Sequence, residues 1–309
     1  MAVALITGAA GFCGRHLIRR LRRETGIKIY GVDIKDECPE GLALEGYISA
    51  DLLDDSLASN IIGEISPDLV FHLVGTKQGS PSDINDINLS CGIRLLEAIR
   101  DRLPRARTLV VGSAAEYGHQ LPEAMPLTED RQCNPTGPYA LSKYALTSIA
   151  LDFVRQYGLK VVVVRPFNII GSGVPSDLVV GAFLGRIKTA MRVDGEAEIR
   201  VGNLDDERDF VDVDDVVDAY VRIMQRELWG EIFNICSGRP IAIGWIVEAL
   251  LANSDRPIRV RQDPSLMRNS EVKAIYGSCQ KASKAFGFKP NLDFKEVLHK
   301  AWLYELGGK

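Results

Sequence analysis

A tyrosine and a lysine four positions apart are the first residues in this chain whose spacing suggests chemistry. In Pro138-Tyr139-Ala140-Leu141-Ser142-Lys143 the proline pre-sets a first helical turn, and the i, i+4 spacing puts both side chains on one helix face. A phenol ordinarily titrates near about 10, too high for easy proton exchange at neutrality. An ammonium a few ångströms away stabilises the tyrosinate and lowers that value. The pair therefore reads as a general acid/base for a carbonyl or an alcohol. Alone, Tyr-x-x-x-Lys is equally what an amphipathic surface carries. A second element sharpens it: Gly112-Ser113-Ala114-Ala115-Glu116-Tyr117-Gly118 ends an apolar run, so Ser113 emerges where a strand stops and can hydrogen-bond the same reacting oxygen.

A third element lies at the N-terminus. Gly8-Ala9-Ala10-Gly11-Phe12-Cys13-Gly14 stands between an apolar strand pattern and an amphipathic one. Glycines there allow positive φ and close backbone approach, and the helix that follows offers unpaired amides to a pyrophosphate. Glycine triplets also occur in plain turns. The position of this one, with Asp33 closing the next strand about 20 residues on, fits a dinucleotide whose adenosine ribose meets the carboxylate. A carboxylate repels a 2′-phosphate, which favours NAD(H); Lys35, two residues on, leaves NADP(H) open. Asp51 reads equally as an adenine-side contact or as the cap of a helix over Leu52–Ile62.

These residues need a frame. Strand patterns at Ala2–Thr7, Lys28–Asp33, Tyr47–Ala50, Leu69–Val74, Thr108–Gly112 and Lys160–Arg165 alternate with helical ones. The helices expected are Gly14–Thr25, Ile87–Leu103 and Tyr139–Tyr157. Such alternation predicts an α/β fold, a doubly wound parallel sheet with its ligands along the carboxyl ends of the strands. After Arg165 the rhythm changes. Gly171-Ser172-Gly173 is a loop, a helix runs to about Arg192, and a hairpin-like stretch surrounds Glu198–Gly202. A helix at Asp215–Gln225 and a strand at Glu231–Cys236 follow. The chain thus divides into 1–170 plus about 210–236 for the dinucleotide, and about 171–209 with 237–309 for a smaller, discontinuous α/β substrate lobe.

Composition removes other classes. The chain has 309 residues, a formal net charge of -4, 46% hydrophobic and 25% charged residues, which is ordinary for a globular protein and argues against an electrostatic nucleic-acid surface. No apolar run reaches the roughly 20 residues of a membrane span, and the first residues read as fold rather than as a leader. Six scattered cysteines without a C-x-x-C pair point to free thiols in a reducing cytoplasm, and four isolated histidines show no metal spacing. The acids around Arg208 read as charge balance and helix capping, with no metal expected.

Taken together, Gly8-x-x-Gly11-x-x-Gly14, Ser113, Tyr139-x-x-x-Lys143, Arg165-Pro166-Phe167-Asn168 and Arg208-Asp209-Phe210-Val211-Asp212-Val213-Asp214-Asp215 resemble the extended short-chain dehydrogenases. These are the NAD-dependent epimerases, dehydratases and reductases of nucleotide sugars, with a Rossmann-type sheet. The resemblance spans essentially the whole chain. It implies Tyr139 as acid/base, Lys143 as its electrostatic partner and nicotinamide-ribose anchor, and Ser113 as the positioning hydroxyl. Cofactor contacts are implied at Gly8, Gly11, Phe12, Cys13 and Gly14, then at Asp33, Asp51 and Leu52, and at Tyr139, Lys143 and Phe167. Asn88 corresponds to an asparagine of helix geometry. A homodimer through the helices Ile87–Leu103 and Tyr139–Tyr157 is likewise implied.

Within that family, dehydratases carry an acid where this chain has Ala115, and Glu116 faces the other way if the strand continues. Reduction or 4-epimerisation remains. Segments of the C-terminal half, including Phe233-Asn234-Ile235-Cys236-Ser237-Gly238 and Asp263 through Val272, resemble the branch that reduces GDP-linked 4-keto-6-deoxy sugars. That resemblance implies substrate contacts at Ser113, Asn168 and Asn203, diphosphate or nucleotide contacts at Arg208 and Arg268, and ribose contacts at Glu271. Asn269 stands where that branch has proline, and the stretch from His72 to Asn88 is shorter. A non-catalytic dinucleotide sensor is the alternative of another class.

Overall fold

A computed structural model describes residues 1–54, 56–267 and 272–307. Strand β1 (Ala2–Thr7) leads through the glycine turn into helix α1 (Phe12–Leu21), followed by β2 (Ile27–Asp33). The helix is shorter at its C-terminus than the periodicity predicts, because the chain turns after Arg22 and Gly26 takes a φ of 79°. Strand β3 (Gly46–Ser49) precedes α2 (Leu57–Ile65). The helix expected from Leu52 begins five residues later. The carboxylates of Asp51 and Asp54 accept the amides of Leu53 and Ser56, a local bond that competes with the helix.

Strand β4 (Leu69–His72) leads to a short helix α3 (Pro81–Asn85), which runs through a π turn at Asp86–Ser90 into α4 (Cys91–Arg102). Strand β5 (Arg107–Val111), the long helix α5 (Gly137–Tyr157) and β6 (Val161–Pro166) continue the alternation. Strand β7 (Asn168–Ile170), helix α6 (Val179–Met191), β8 (Ala197–Val201), β9 (Glu207–Asp212) and helix α7 (Val213–Met224) come next. Strand β10 (Ile232–Ile235), β11 (Pro240–Ala242), α8 (Ile243–Leu251), β12 (Ile258–Gln262) and β13 (Ala274–Ile275) follow, with α9 (Gln280–Phe286) and α10 (Phe294–Leu306) last.

Seven parallel strands form one sheet in the order β10-β6-β5-β4-β1-β2-β3. The order reverses between β1 and β4, so the crevice at the carboxyl ends of those strands is the natural ligand groove of a doubly wound fold. One face of the sheet packs against α1, α7 and α9 through residues such as Leu17, Ile18, Val217, Tyr220 and Phe286. The other packs against α2, α4 and α5 through Ile62, Leu96, Ile99, Leu146 and Phe153.

A third apolar cluster joins α6, α8 and α10 to β8, with Phe183, Ile187, Ile199, Ile246, Leu298 and Trp302 at its centre. Beside it β9 pairs with β7, β11 and β13. The hairpin expected near Glu198–Gly202 does not form: β8 pairs in parallel with β12, from Ala197 opposite Ile258 to Val201 opposite Gln262. Alternation of buried Ala197, Ile199 and Val201 with outward Glu198 and Arg200 marks a strand, but a two-residue period says nothing about the partner.

Candidate active site

The cradle is built by exclusion of side chains. Gly8 has a φ of 74°, and a Cβ on Gly14 would stand 2.3 Å from the carbonyl oxygen of Gly8 and 2.6 Å from that of Ala9. Gly11 is the N-cap of α1 and supplies no side-chain cap, so the helix presents bare amides to the groove. These features fit a dinucleotide pyrophosphate. Asp33, at the end of β2, braces the loop: one carboxylate oxygen accepts the amide of Ala10 at 2.9 Å, the other that of Lys35 at 3.3 Å. Asp51 lies on the exposed turn after β3.

Several implied cofactor residues have packing roles. Phe12 stacks edge-on against His16, with ring centres 5.5 Å apart, and leans on the α6–α8–α10 cluster. The Leu52 side chain is buried with Val32 and Ala50. Phe167 is buried against Tyr117, ring centres 6.4 Å apart. Cys13 is half-buried near Lys143, and desolvation pushes its thiol up to about 12.

Ser113 caps the 3₁₀ turn Ala114–Tyr117, accepting the amide of Ala115 at 3.1 Å. The strand stops at Val111, so the alternation that would have turned Glu116 outward is broken, and its carboxylate is folded back into the core. Lys143 is almost fully buried. Its ammonium donates to the carbonyls of Val111 at 3.0 Å and Val74 at 3.3 Å. Asn88, in the π turn, fixes the neighbouring backbone: its Oδ1 accepts from Thr76 at 2.7 Å, and its amide donates to the Thr76 carbonyl and to Ser142 Oγ, each at 2.9 Å.

The electrostatics differ from the sequence expectation in one respect. Tyr139 is held above its ordinary value rather than below it, because burial outweighs the opposing influence of the Ser113 side chain; Glu116 and Cys13 add to the rise. Lys143 is brought down to about 8, chiefly by burial and further by Lys77, against the pull of Glu116. The phenol is thus kept protonated, suited to giving a proton. Sequence reasoning also missed Lys77, whose ammonium lies 5.0 Å from the centre of the Tyr139 ring. Its loop was recognised, but nothing in the spacing tied it to the tyrosine.

The second lobe carries the remaining candidates. Asn168 on β7 donates to the carbonyl of Asp209 at 2.7 Å. Arg208 on β9 bonds Asp206 at 3.1 Å and the carbonyls of Glu207 and Lys273 at 2.8 and 3.0 Å. Asn203 follows β8. Arg268 and Glu271 lie outside the described residues. The acids of the Arg208–Asp215 motif have structural partners. Buried Asp209 accepts the amides of Ser237, Gly238 and Gly277, Asp212 caps α7, and Asp214 meets His16 at 2.9 Å.

Comparison with known proteins places this geometry. The GDP-6-deoxy-D-mannose reductase of Pseudomonas aeruginosa is 30% identical over 301 residues, 95% of this chain and 93% of that protein. The structure of RMD from Pseudomonas aeruginosa complexed with NADPH superposes with a TM-score of 0.84 at 29% identity, covering 99% of both chains. The UDP-glucose 4-epimerase of Thermotoga maritima, solved with UDP-glucose, gives 0.85 at 25% identity over 98% of both. Residues 4–236 match the NAD dependent epimerase/dehydratase family. That stretch contains the glycine cradle, Ser113 and the Tyr139/Lys143 pair, so the chain is a member of the NAD dependent epimerase/dehydratase family.

Proposed function

We propose that this chain reduces the 4-keto group of a nucleotide-linked 6-deoxy sugar, with GDP-4-keto-6-deoxy-D-mannose as substrate. The observation that carries this reading is that the turn capped by Ser113 has Ala115 where a dehydratase has its acid, beside a Tyr139 that burial raises above its ordinary value. The adjacent carboxylate, Glu116, is committed to Arg165 and Thr147 and is not free to expel a hydroxyl. The 30% identity with a GDP-6-deoxy-D-mannose reductase supports the same branch.

In this reading residues 1–170 with about 210–236 hold the dinucleotide, through Gly8, Gly11, Gly14 and Asp33. Residues 171–209 with 237–309 hold the nucleotide sugar, through Asn168, Asn203 and Arg208, with Arg268 and Glu271. When bound, the nicotinamide supplies a hydride. Tyr139 gives its proton to the carbonyl oxygen, and Ser113 adds a second hydrogen bond that stabilises the developing alkoxide. Lys143, cationic below about pH 8, supports the tyrosinate that this step leaves. Asp33 and the nearby Asp36 favour NADH over NADPH by repelling a 2′-phosphate. Exposed Leu141 and Tyr144 on α5, 52% and 38% exposed, support a homodimer through that helix. Six free thiols fit a reducing cytoplasm.

The test is loss of absorbance at 340 nm with GDP-4-keto-6-deoxy-D-mannose, NADH and NADPH being compared. Consumption of neither defeats the reading. Interconversion of an unreduced nucleotide sugar without net redox turnover would establish the 4-epimerase instead, a reading favoured by the likeness to the Thermotoga epimerase.

A further inference from the structure

Glu116 is a buried ionisable group that the proposed chemistry leaves unused. It is 0% exposed, yet its carboxylate is well partnered. Oε1 accepts the amide of Ser113 at 2.8 Å and the hydroxyl of Thr147 at 3.0 Å, and Oε2 accepts Nε of Arg165 at 2.8 Å. Those partners lie just beyond the end of β5, one turn past Lys143 on α5, and on β6. One carboxylate therefore ties together the elements that carry the serine and the tyrosine–lysine pair. The space is reserved for it, since a Cβ on residue 112 would stand 2.2 Å from Oε1, which accounts for Gly112. Arg165 lies 4.9 Å from the centre of the Tyr117 ring, and the Tyr117 hydroxyl donates to Asn234 Oδ1 at 2.7 Å, extending the network to β10.

Stapling alone does not require a charge. A glutamine oxygen would satisfy Ser113 and Thr147 equally, and a buried ion pair can often be replaced by apolar residues without loss of stability. A charge in a low dielectric does act on its ionisable neighbours. Glu116 faces Arg165 from β6, Tyr139 and Lys143 from α5, and Cys133 from the loop before α5. Lys143 is faced in turn by Cys13 from α1, His72 from β4 and Lys77 from the following loop. Of these, His72 is buried and neutral near pH 7, and Lys77 repels. Glu116 is the foremost group that favours the ammonium.

We propose that Glu116 is a positioning residue of the active site: anchored by Arg165, its carboxylate fixes Ser113 at the groove and sets a fixed negative charge beside the end of β5, where Lys143 bonds the Val111 carbonyl. The proposal rests on Ser113, Tyr139 and Lys143 being the acid/base set. Its test uses the full chain with Glu116→Gln, and with Glu116→Gln combined with Arg165→Met, which leaves no unpaired buried charge if the single variant does not fold. Side-chain nitrogen NMR of labelled lysine follows Lys143, assigned by its absence in Lys143→Met, without substrate or cofactor.

We expect the Lys143 midpoint to fall from about 8 by about one pH unit or more in the folded variants. The alkaline limb of keto-sugar reduction should move with it, and kcat should fall about tenfold, while the KM for cofactor changes less than about twofold. A folded variant whose Lys143 titrates as in the parent overturns the proposal, even if it is less stable or less active, because a purely structural staple would do only that. If the parent reduces no keto sugar, the substrate reading falls, while the lysine titration still decides the role of Glu116.

Discussion

At the scale of single residues, proton inventory governs what the site can do. A phenol held above its ordinary value by burial is a donor, and replacing Tyr139 with Phe removes that donor with little change in shape. Reduction by Tyr139→Phe should fall by about 10²- to 10⁴-fold, with cofactor affinity nearly unchanged by calorimetric titration. Lys143 supplies the pH dependence. Its folded value of about 8 keeps it cationic on the acid side, so kcat/KM of the parent should decline through an alkaline limb near pH 8, and Lys143→Met should lack that limb. The identities of Ser113, Tyr139 and Lys143 were legible from type and spacing. The upward shift of Tyr139 was not, because spacing places an ammonium within reach but cannot weigh burial against it; the ammonium turns to the carbonyls of Val74 and Val111. Glu116 was misread for a related reason. Its outward orientation presupposed a continuing strand, and a capped 3₁₀ turn replaced it.

Secondary-structure elements determine where those residues can stand. The glycine turn between β1 and α1 is the most closely fitted of them. Gly14→Ala would force a methyl against two backbone carbonyls, which cannot move aside as a flexible side chain would. We expect at least about a tenfold loss in affinity for NADH or NADPH, measured by fluorescence titration. Retained affinity would place the dinucleotide elsewhere. Periodicity recovered the strands of the main sheet to within a residue or two, since continuous apolar runs are what a sheet covered on both faces requires. It failed where local hydrogen bonds redirect the chain, as Asp51 and Asp54 do before α2, and where a strand's partner is remote in sequence, as β12 is for β8.

For the whole molecule, burial of ionisable groups sets the response to acid. Burial and Lys143 hold His72 near 3, against about 6.5 in an unfolded chain. The unfolded state therefore takes up a proton below about pH 6.5 that the folded state refuses, and this contribution to stability is lost as pH falls. Between pH 7 and pH 5 the parent should lose on the order of 2 kcal/mol relative to His72→Asn, read from paired denaturant titrations. Asp212 acts in the opposite sense: burial raises its carboxyl to about 6, so ionisation as pH rises through that range disfavours the fold. The proposed dimer is tested separately. Leu141→Asp should sediment as a monomer if α5 is the contact, since a charge there would be desolvated without a partner. The late return of β10 to the main sheet has a consequence during synthesis. Val161 to Val164 are wholly buried in the finished protein, but one edge of their strand has no neighbour until Ile232–Ile235 have left the ribosome. In that interval a nascent chain displays an apolar edge open to pairing with other chains, which is where crowded translation or a stalled ribosome would make this protein aggregate.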